Sequence, residues 1–451
     1  MAIAHRCLIA LCLALLVACL APRPCTAQQP SAQPAEAQAA SAPAQHAGQA
    51  YTLPPDKLAK AIALNRIRNI LDIVFGLWGI AALWLLLAMR GAAGLETWAH
   101  RVSNRRWVQG LVFFAFLLIF MTLASLPLDI YGHHVSRAYG ISIQSWGGWL
   151  GDQAKSLGLT VLFGAPVLLL FNRIVRRWPR RYWFGIWLVT LPLLVISLFV
   201  SPLFEPLFNK YEPLANNHAA LVDKLESVVA RTGTNIPPGR MFLMIASTKT
   251  NGLNAYVNGI GATKRIVVWD TTAGRIPDDE VMFVFGHESG HYVLNHIPKM
   301  LVISSIALFL IYWACAGFSA LLANRFGTRW LLQGQETVAA PLSTRAGFVV
   351  LIFAITIAGF VLEPLSNTMS RYFEHQADVY GQEAIHTLVP DPQKTAVAGF
   401  QALGEAWLED PNPNPFIEFW EYNHPSVKNR ANFAAQYDPW ANGGHGEFFD
   451  R

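Results

Sequence analysis

Three polar side chains within five residues, His287, Glu288 and His291 in Gly286-His287-Glu288-Ser289-Gly290-His291, carry the chemistry this chain can do. On a helix, residues four apart project from one face, one above the other, so both imidazoles can grip a single tetrahedral Zn²⁺. Glu288 then leans over the open coordination position, where it can take a proton from a water. The pattern also arises by chance in roughly one chain in a hundred of this length, so its surroundings decide its meaning.

A catalytic zinc needs a third protein ligand. A third His six residues beyond the second is absent, because Leu294 stands where the accompanying Gly is required and Ile297 where the His is required. His296 falls off the ligand face and reads as a polar helix-end residue. Glu374 in Ser370-Arg371-Tyr372-Phe373-Glu374-His375-Gln376-Ala377-Asp378 is the better candidate. Glu374 and Asp378 again share a helical face. The first can ligate the metal while the second accepts an N–H from a ligating His and fixes its tautomer. The alternative is a solvated acidic pair, but the segment directly follows a membrane span. His375 points elsewhere on its helix and reads as structural.

These groups need a helix beneath them, and the sequence supplies one. Pro277 suits a first helical position, and Asp278, Asp279 and Glu280 fill a first turn where carboxylates meet the positive end of the helix dipole. Val281, Met282, Val284 and Phe285 follow, so the polar triplet sits on an apolar helix and needs partners; a metal is one.

The remainder fixes where this happens. Of 451 residues, 53% are hydrophobic and 14% charged, which excludes an ordinary soluble enzyme and points to a polytopic membrane protein. Six stretches qualify as spans: Ile70–Met89, Val108–Pro127, Leu157–Phe171, Trp183–Phe204, Leu301–Leu322 and Gly347–Leu365. The chain therefore divides into a signal peptide at 1–27, an unfolded Ala/Gln/Pro linker at 28–55 and four spans within 56–204. A zinc-peptidase block with the two histidines follows at 205–299, then two further spans at 300–366. Residues 367–451 complete the peptidase part with the third ligand. Leu16-Val17-Ala18-Cys19 offers an alternative lipoprotein cleavage box in the leader. Four cysteines fall in that leader, leaving Cys315 alone inside a span, so neither a disulfide framework nor a thiolate metal site is available.

Arginines crowd the connections between spans one and two (Arg90, Arg101, Arg105, Arg106), three and four (Arg173 to Arg181), and five and six (Arg325, Arg329, Arg345). The positive-inside rule puts those loops in the cytoplasm and both peptidase blocks outside. They also account for the net charge of +5, so no nucleic-acid partner is implied. His133 and His134 fall on an outward loop between spans two and three and read as solvated.

Four motifs in order give this chain its resemblance to the type I CAAX prenyl protease family of integral-membrane zinc metallopeptidases. They are Asn254-Ala255-Tyr256-Val257-Asn258-Gly259 with Lys264-Arg265-Ile266-Val267-Val268-Trp269-Asp270-Thr271, then Gly286–His291, Glu374–Asp378, and His424-Pro425-Ser426-Val427-Lys428-Asn429-Arg430. The resemblance implies an all-α polytopic membrane protein, a helical barrel enclosing a chamber. A mainly α zinc-metallopeptidase domain with a small β element closes one end. It implies one Zn²⁺ per chain on His287, His291 and Glu374, with Glu288 and His424 catalytic, and Asp378 and Arg430 behind the ligands. Asn254, Ala255 and Tyr256 lie in a short extended segment able to present backbone groups to a substrate strand. His424 is assigned a hydrogen bond to the developing oxyanion.

The chain departs from close relatives in having six spans where seven are usual and in its inferred orientation. The secretory leader suggests a bacterial inner-membrane protein with its zinc domain on the periplasmic side. The expected partners are the bilayer and a polypeptide substrate, lipidated or membrane-associated. The expected activity is zinc-dependent endopeptidase cleavage; the competing reading is a catalytically silent zinc scaffold or chaperone, against which the intact Glu288 argues.

Overall fold

The structure is a computed structural model that describes residues 49–332, 342 and 344–449. The expected leader, its four cysteines and most of the expected linker lie outside the described residues.

Among the described residues six helices are long and apolar enough to cross a membrane, and each covers one of the six stretches expected from the sequence, the first stretch running one residue past its helix to Met89. They are α1 (Pro55–Ala88), α3 (Arg106–Ala138), α4 (Trp146–Arg177), α5 (Tyr182–Phe204), α9 (His296–Phe326) and α10 (Arg345–Ile385). A short helix, α2 (Gly91–Val102), fills the first Arg-bearing connection. Side-chain caps fix two starts: Ser145 accepts from the Gly148 amide at 3.1 Å before α4, and Thr344 from the Gly347 amide at 2.9 Å before α10. The fully buried Phe113, Leu87, Leu168 and Val350 anchor the core between the membrane helices, while Trp84, Leu123, Trp313 and Leu321 stand outward, as lipid-facing side chains do.

A second apolar core lies in the peptidase part. Around it run α6 (Ala219–Thr232), α7 (Asp270–Ala273), α8 (Asp278–Val293), α11 (Pro392–Trp407), α12 (Pro415–Glu421) and α13 (Val427–Gln436). The β element is a four-stranded sheet of β1 (Tyr211–Pro213), β2 (Met241–Met244), β3 (Ala255–Asn258) and β4 (Arg265–Trp269), in the order β1-β2-β4-β3. β2 and β4 are parallel, and β3 runs antiparallel to β4 with Tyr256 opposite Val267. β3 is thus an edge strand with one side of its backbone unclaimed by the sheet, and α8 packs along it. Gly259 ends the strand at φ 85°, where an added Cβ would lie 2.3 Å from the Thr263 carbonyl oxygen, so only glycine fits.

The last part of the expected linker is folded. Tyr51 and Leu53 are buried in the peptidase core, the Tyr51 hydroxyl donates to the Glu409 carbonyl at 2.8 Å, and Thr52 exchanges two hydrogen bonds with Gln401. Composition misleads at this point because two apolar side chains suffice to dock a short polar segment. His133 is also not on a loop. It lies inside α3, 2% exposed, stacked on Trp149 at 4.9 Å and edge-on to Trp146, whereas its neighbour His134 is exposed.

Candidate metal centre

The site forms where α8 crosses the extramembrane end of α10. Gly286 and Gly290, four apart, turn their bare backbones toward α10, and Gly381 of α10 answers them: a Cβ there would sit 2.7 Å from the His287 backbone nitrogen. The two helices meet at a distance no larger residue permits, which brings the carboxylates of α10 to the imidazoles of α8. α10 has 41 residues, about 60 Å of helix, so one element spans the membrane and still reaches the site with Glu374 and Asp378. Acidic residues fill the first turn of α8, with Pro277 just ahead of it, and Lys224 of α6 pairs with Asp279 at 2.8 Å.

His287, His291 and Glu374 offer ligand atoms that lie within 4.8 Å of one another. The separations are 3.2 Å between the two Nε2 atoms, 3.2 Å from His287 Nε2 to one Glu374 oxygen and 3.5 Å from His291 Nε2 to the other. A tetrahedral ion at ordinary zinc–ligand lengths sets neighbouring donors about 3.3 Å apart. Two imidazoles and a carboxylate are also a donor set that zinc favours, so the residues fit that ion.

Outside this triangle each ligand is held from behind. His287 Nδ1 meets Asp378 Oδ1 at 2.8 Å, and Arg430 of α13 clamps the same carboxylate through two N–H groups at 2.9 and 2.6 Å. The Arg430 guanidinium also lies over the Phe400 ring at 4.6 Å. His424, on the turn between α12 and α13, puts Nε2 3.2 Å from Glu374 Oε2 while its side chain stays 42% exposed at the site's mouth. Glu418 holds that turn by accepting from the Ser426 amide at 2.9 Å and the Asn429 amide group at 3.0 Å.

The charges are strongly coupled. Burial alone would lower the His287 pKa, but hydrogen bonds to Asp378 and Glu374 outweigh it and lift the value to about 9. Burial and the adjacent His287 push His291 the opposite way, to about 3. Burial raises the Glu288 carboxyl to about 7; His287 and the Val257 backbone amide oppose that rise and Glu374 adds to it. The Val257 amide thus touches Glu288 from the free side of β3.

The extended segment expected to meet substrate divides in two. The backbone of Asn254 is already engaged, its N–H with the Thr272 hydroxyl at 2.8 Å and its carbonyl with the Trp269 amide at 3.1 Å. Ala255 is buried, and the Tyr256 hydroxyl is tied to Glu205 at 3.1 Å. What β3 turns toward α8 is therefore backbone rather than these side chains.

The sequence reading left out Tyr292 and missed the place of His296 at the site. Tyr292 ties α8 to the end of β3 through the Gly259 carbonyl at 2.9 Å. His296 does stand at a helix end, as the first residue of α9, but it is 2% exposed and returns to the site, where its Nδ1 lies 3.1 Å from His291 Nδ1. The chain turns sharply through Asn295, which adopts φ 57°, and that turn returns the next side chain to the site. An Asn before a His at the end of a metal-binding helix is the signal that marks it.

Comparison with known proteins agrees with this geometry. Residues 35–210 match the family model described as CAAX prenyl protease N-terminal, five membrane helices, and residues 215–438 match that of peptidase family M48. A protein of Bacillus subtilis (strain 168) named uncharacterized metalloprotease YhfN is 32% identical over 391 residues, 84% of this chain and 86% of that one. CAAX prenyl protease 1 of Saccharomyces cerevisiae is 28% identical over 341 residues, 73% of this chain and 72% of the relative. The crystal structure of S. mikatae Ste24p shares the fold, with a TM-score of 0.71 at 24% identity over 85% of this chain and 90% of that one. Six apolar helices in a membrane barrel and a mainly α peptidase domain with a small sheet define an integral-membrane metallopeptidase. The chain belongs to peptidase family M48 and is a multi-pass membrane metalloendopeptidase.

Proposed function

We propose that this protein hydrolyses peptide bonds of membrane-associated or hydrophobic polypeptides, using one zinc ion held by His287, His291 and Glu374 with Glu288 as general base. What supports the reading is the triangle of donor atoms 3.2–3.5 Å on a side with a buried, pKa-raised carboxyl directly beside it. When bound, zinc supplies Lewis-acid polarisation and makes its water easier to deprotonate. Glu288 takes the proton of the attacking water and hands it to the leaving amine, a task suited to a pKa near the working pH. His424, half-exposed beside Glu374, donates Nε2–H to the scissile carbonyl oxygen as charge develops there. The free side of β3 receives the substrate as an added strand, laying the scissile bond along α8. Asp378 and Arg430 keep His287 turned with Nε2 to the metal. The peptidase blocks face the periplasm, because the arginine-rich connections hold the opposite end in the cytoplasm.

A secretory leader and an outward-facing site set this chain apart from proteases that meet prenylated proteins in the cytosol, so a broad membrane endopeptidase is the favoured task. One assay tests it. Purified protein in detergent is offered a farnesylated CAAX peptide, its unprenylated twin and an unfolded protein, with Glu288→Gln and a zinc chelator as controls. Cleavage of all three, lost with chelator and in Glu288→Gln while zinc stays bound, is the expected result. Cleavage confined to the farnesylated peptide makes this a dedicated processing enzyme instead, and zinc binding without cleavage makes it a scaffold. Wild-type turnover by Glu288→Gln overturns the mechanism.

A further inference from the structure

Every imidazole that binds a metal through Nε2 must carry its proton on Nδ1, and that proton needs an acceptor to hold the ring in place. For His287 the acceptor is the Asp378 carboxylate at 2.8 Å. For His291 it is another imidazole, His296, at 3.1 Å between the two Nδ1 atoms. Direction follows from counting protons. If His291 donates from Nδ1, His296 must accept at Nδ1 and carry its own proton on Nε2. The Gln376 side chain acts on the His296 ring, and His296 Nε2 and Gln376 Oε1 are both buried without a hydrogen-bond partner, so a donor on that nitrogen and an acceptor on that amide suit one another. The ring is also clamped by Phe373 at 4.7 Å between centroids.

We propose that His296 is a positioning residue for the metal centre: a neutral, buried acceptor that fixes the tautomer and tilt of His291. The inference rests on the zinc reading above and deepens it. His296 opens the span α9, while Phe373 and Gln376 belong to α10, so the second ligand is braced by the ends of two membrane helices. A neutral brace suits the place. Glu288, Glu374 and Asp378 already face the ligands with Arg430 as the neighbouring guanidinium, and a fourth carboxylate would add uncompensated negative charge to a buried cluster. The two histidines are thus held by unlike partners, one by an anion and the other by an imidazole.

The test is zinc affinity, measured on the metal-free full-length protein by competition with a chromophoric chelator. His296→Phe keeps a ring against Phe373 and removes the acceptor; His296→Asn places a carbonyl oxygen where Nδ1 stands. The Phe variant should bind zinc about 10–100-fold more weakly, the range for removing the outer partner of a ligating His. The Asn variant should recover most of that loss, and both metal-free variants should melt near the wild type. If the Phe variant does not fold, His296→Leu is read in its place with the same loss expected. Wild-type affinity in the acceptor-less variant, or an Asn variant as weak as the Phe one, overturns the proposal. Wild-type protein that takes up no zinc brings down the zinc reading with it; zinc on the wild type and unchanged affinity in the variant brings down this inference alone.

Discussion

Arg430 and Asp378 are locked together by two parallel hydrogen bonds at 2.9 and 2.6 Å, and Asp378 reaches on to His287. The pair is buried, with the Asp378 side chain 3% exposed, and it joins the C-terminal helix α13 to α10 behind the metal ligands. A planar fork on a carboxylate is the geometry in which arginine is strongest, and only arginine supplies it.

Breaking this pair should therefore act twice. Asp378→Asn leaves Arg430 buried beside a neutral amide, a loss of about 3–5 kcal/mol for an orphaned partner, and it weakens the hold on His287. Zinc affinity should fall about 10–100-fold as well. Thermal unfolding and chelator competition read the two effects separately. A variant matching the wild type in both shows that the clamp does not support the site.

Close helix approach yields a second expectation. Gly381→Ala puts a methyl group 2.7 Å from the backbone nitrogen of His287, so α8 and α10 must move apart at an expense of about 1–3 kcal/mol. The shift separates Glu374 from the histidines, and zinc binding should weaken along with stability. Gly359→Ala on the same helix meets nothing within 4 Å and serves as control; its change should be neutral or slightly stabilising. Equal behaviour of the two variants in a melting experiment removes the argument.

The donor set was legible in the sequence because its spacing is a property of one helix: His287 to His291, and Glu374 to Asp378, are each a single turn. The six spans were legible for a similar reason, since apolar length is a local quantity. His296 was hidden because an ideal helix continued past Val293 carries it away from the ligand face, and the break at Asn295 reverses that. Tyr51 was hidden by composition, since one aromatic among small and polar residues docks only because Gly404 of α11 leaves room for its ring. His133 looked solvated because loop and helix were divided at the hydropathy edge, whereas α3 runs on to Ala138 and buries it.

The chain's far end offers a third prediction. Glu383, fully buried on α10, accepts from the Tyr437 hydroxyl and from the amides of Glu447, Phe448 and Phe449, the last two at 2.7 and 3.0 Å. Phe448 and Phe449 then cover Tyr380. Glu383→Gln replaces one acceptor oxygen with a donor facing donors, and each N–H left without a partner is worth about 1–3 kcal/mol. Hydrogen exchange should report lost protection at residues 447–449 while the amides of α8 stay slow. Unchanged protection at the tail means the carboxylate does not hold it.

Orientation gives the last prediction. The last turn of α4 and the connection to α5 carry Arg176, Arg177, Arg180 and Arg181, all exposed, and the peptidase part carries exposed polar positions such as Lys394 and Glu212. Membrane insertion retains short arginine-rich loops on the cytoplasmic face, so these two regions must lie on opposite sides. Cysteines introduced at Arg180 and at Glu212 report this in intact cells treated with a membrane-impermeant maleimide, with the wild-type chain in parallel as background for its own five cysteines, of which Cys315 is buried. Glu212→Cys should label from outside, and Arg180→Cys only after the membrane is opened. The reverse pattern would place the metal centre in the cytoplasm and make cytosolic polypeptides its substrates. Labelling of both from outside would contradict the membrane-spanning assignment of α5, the one helix that separates them.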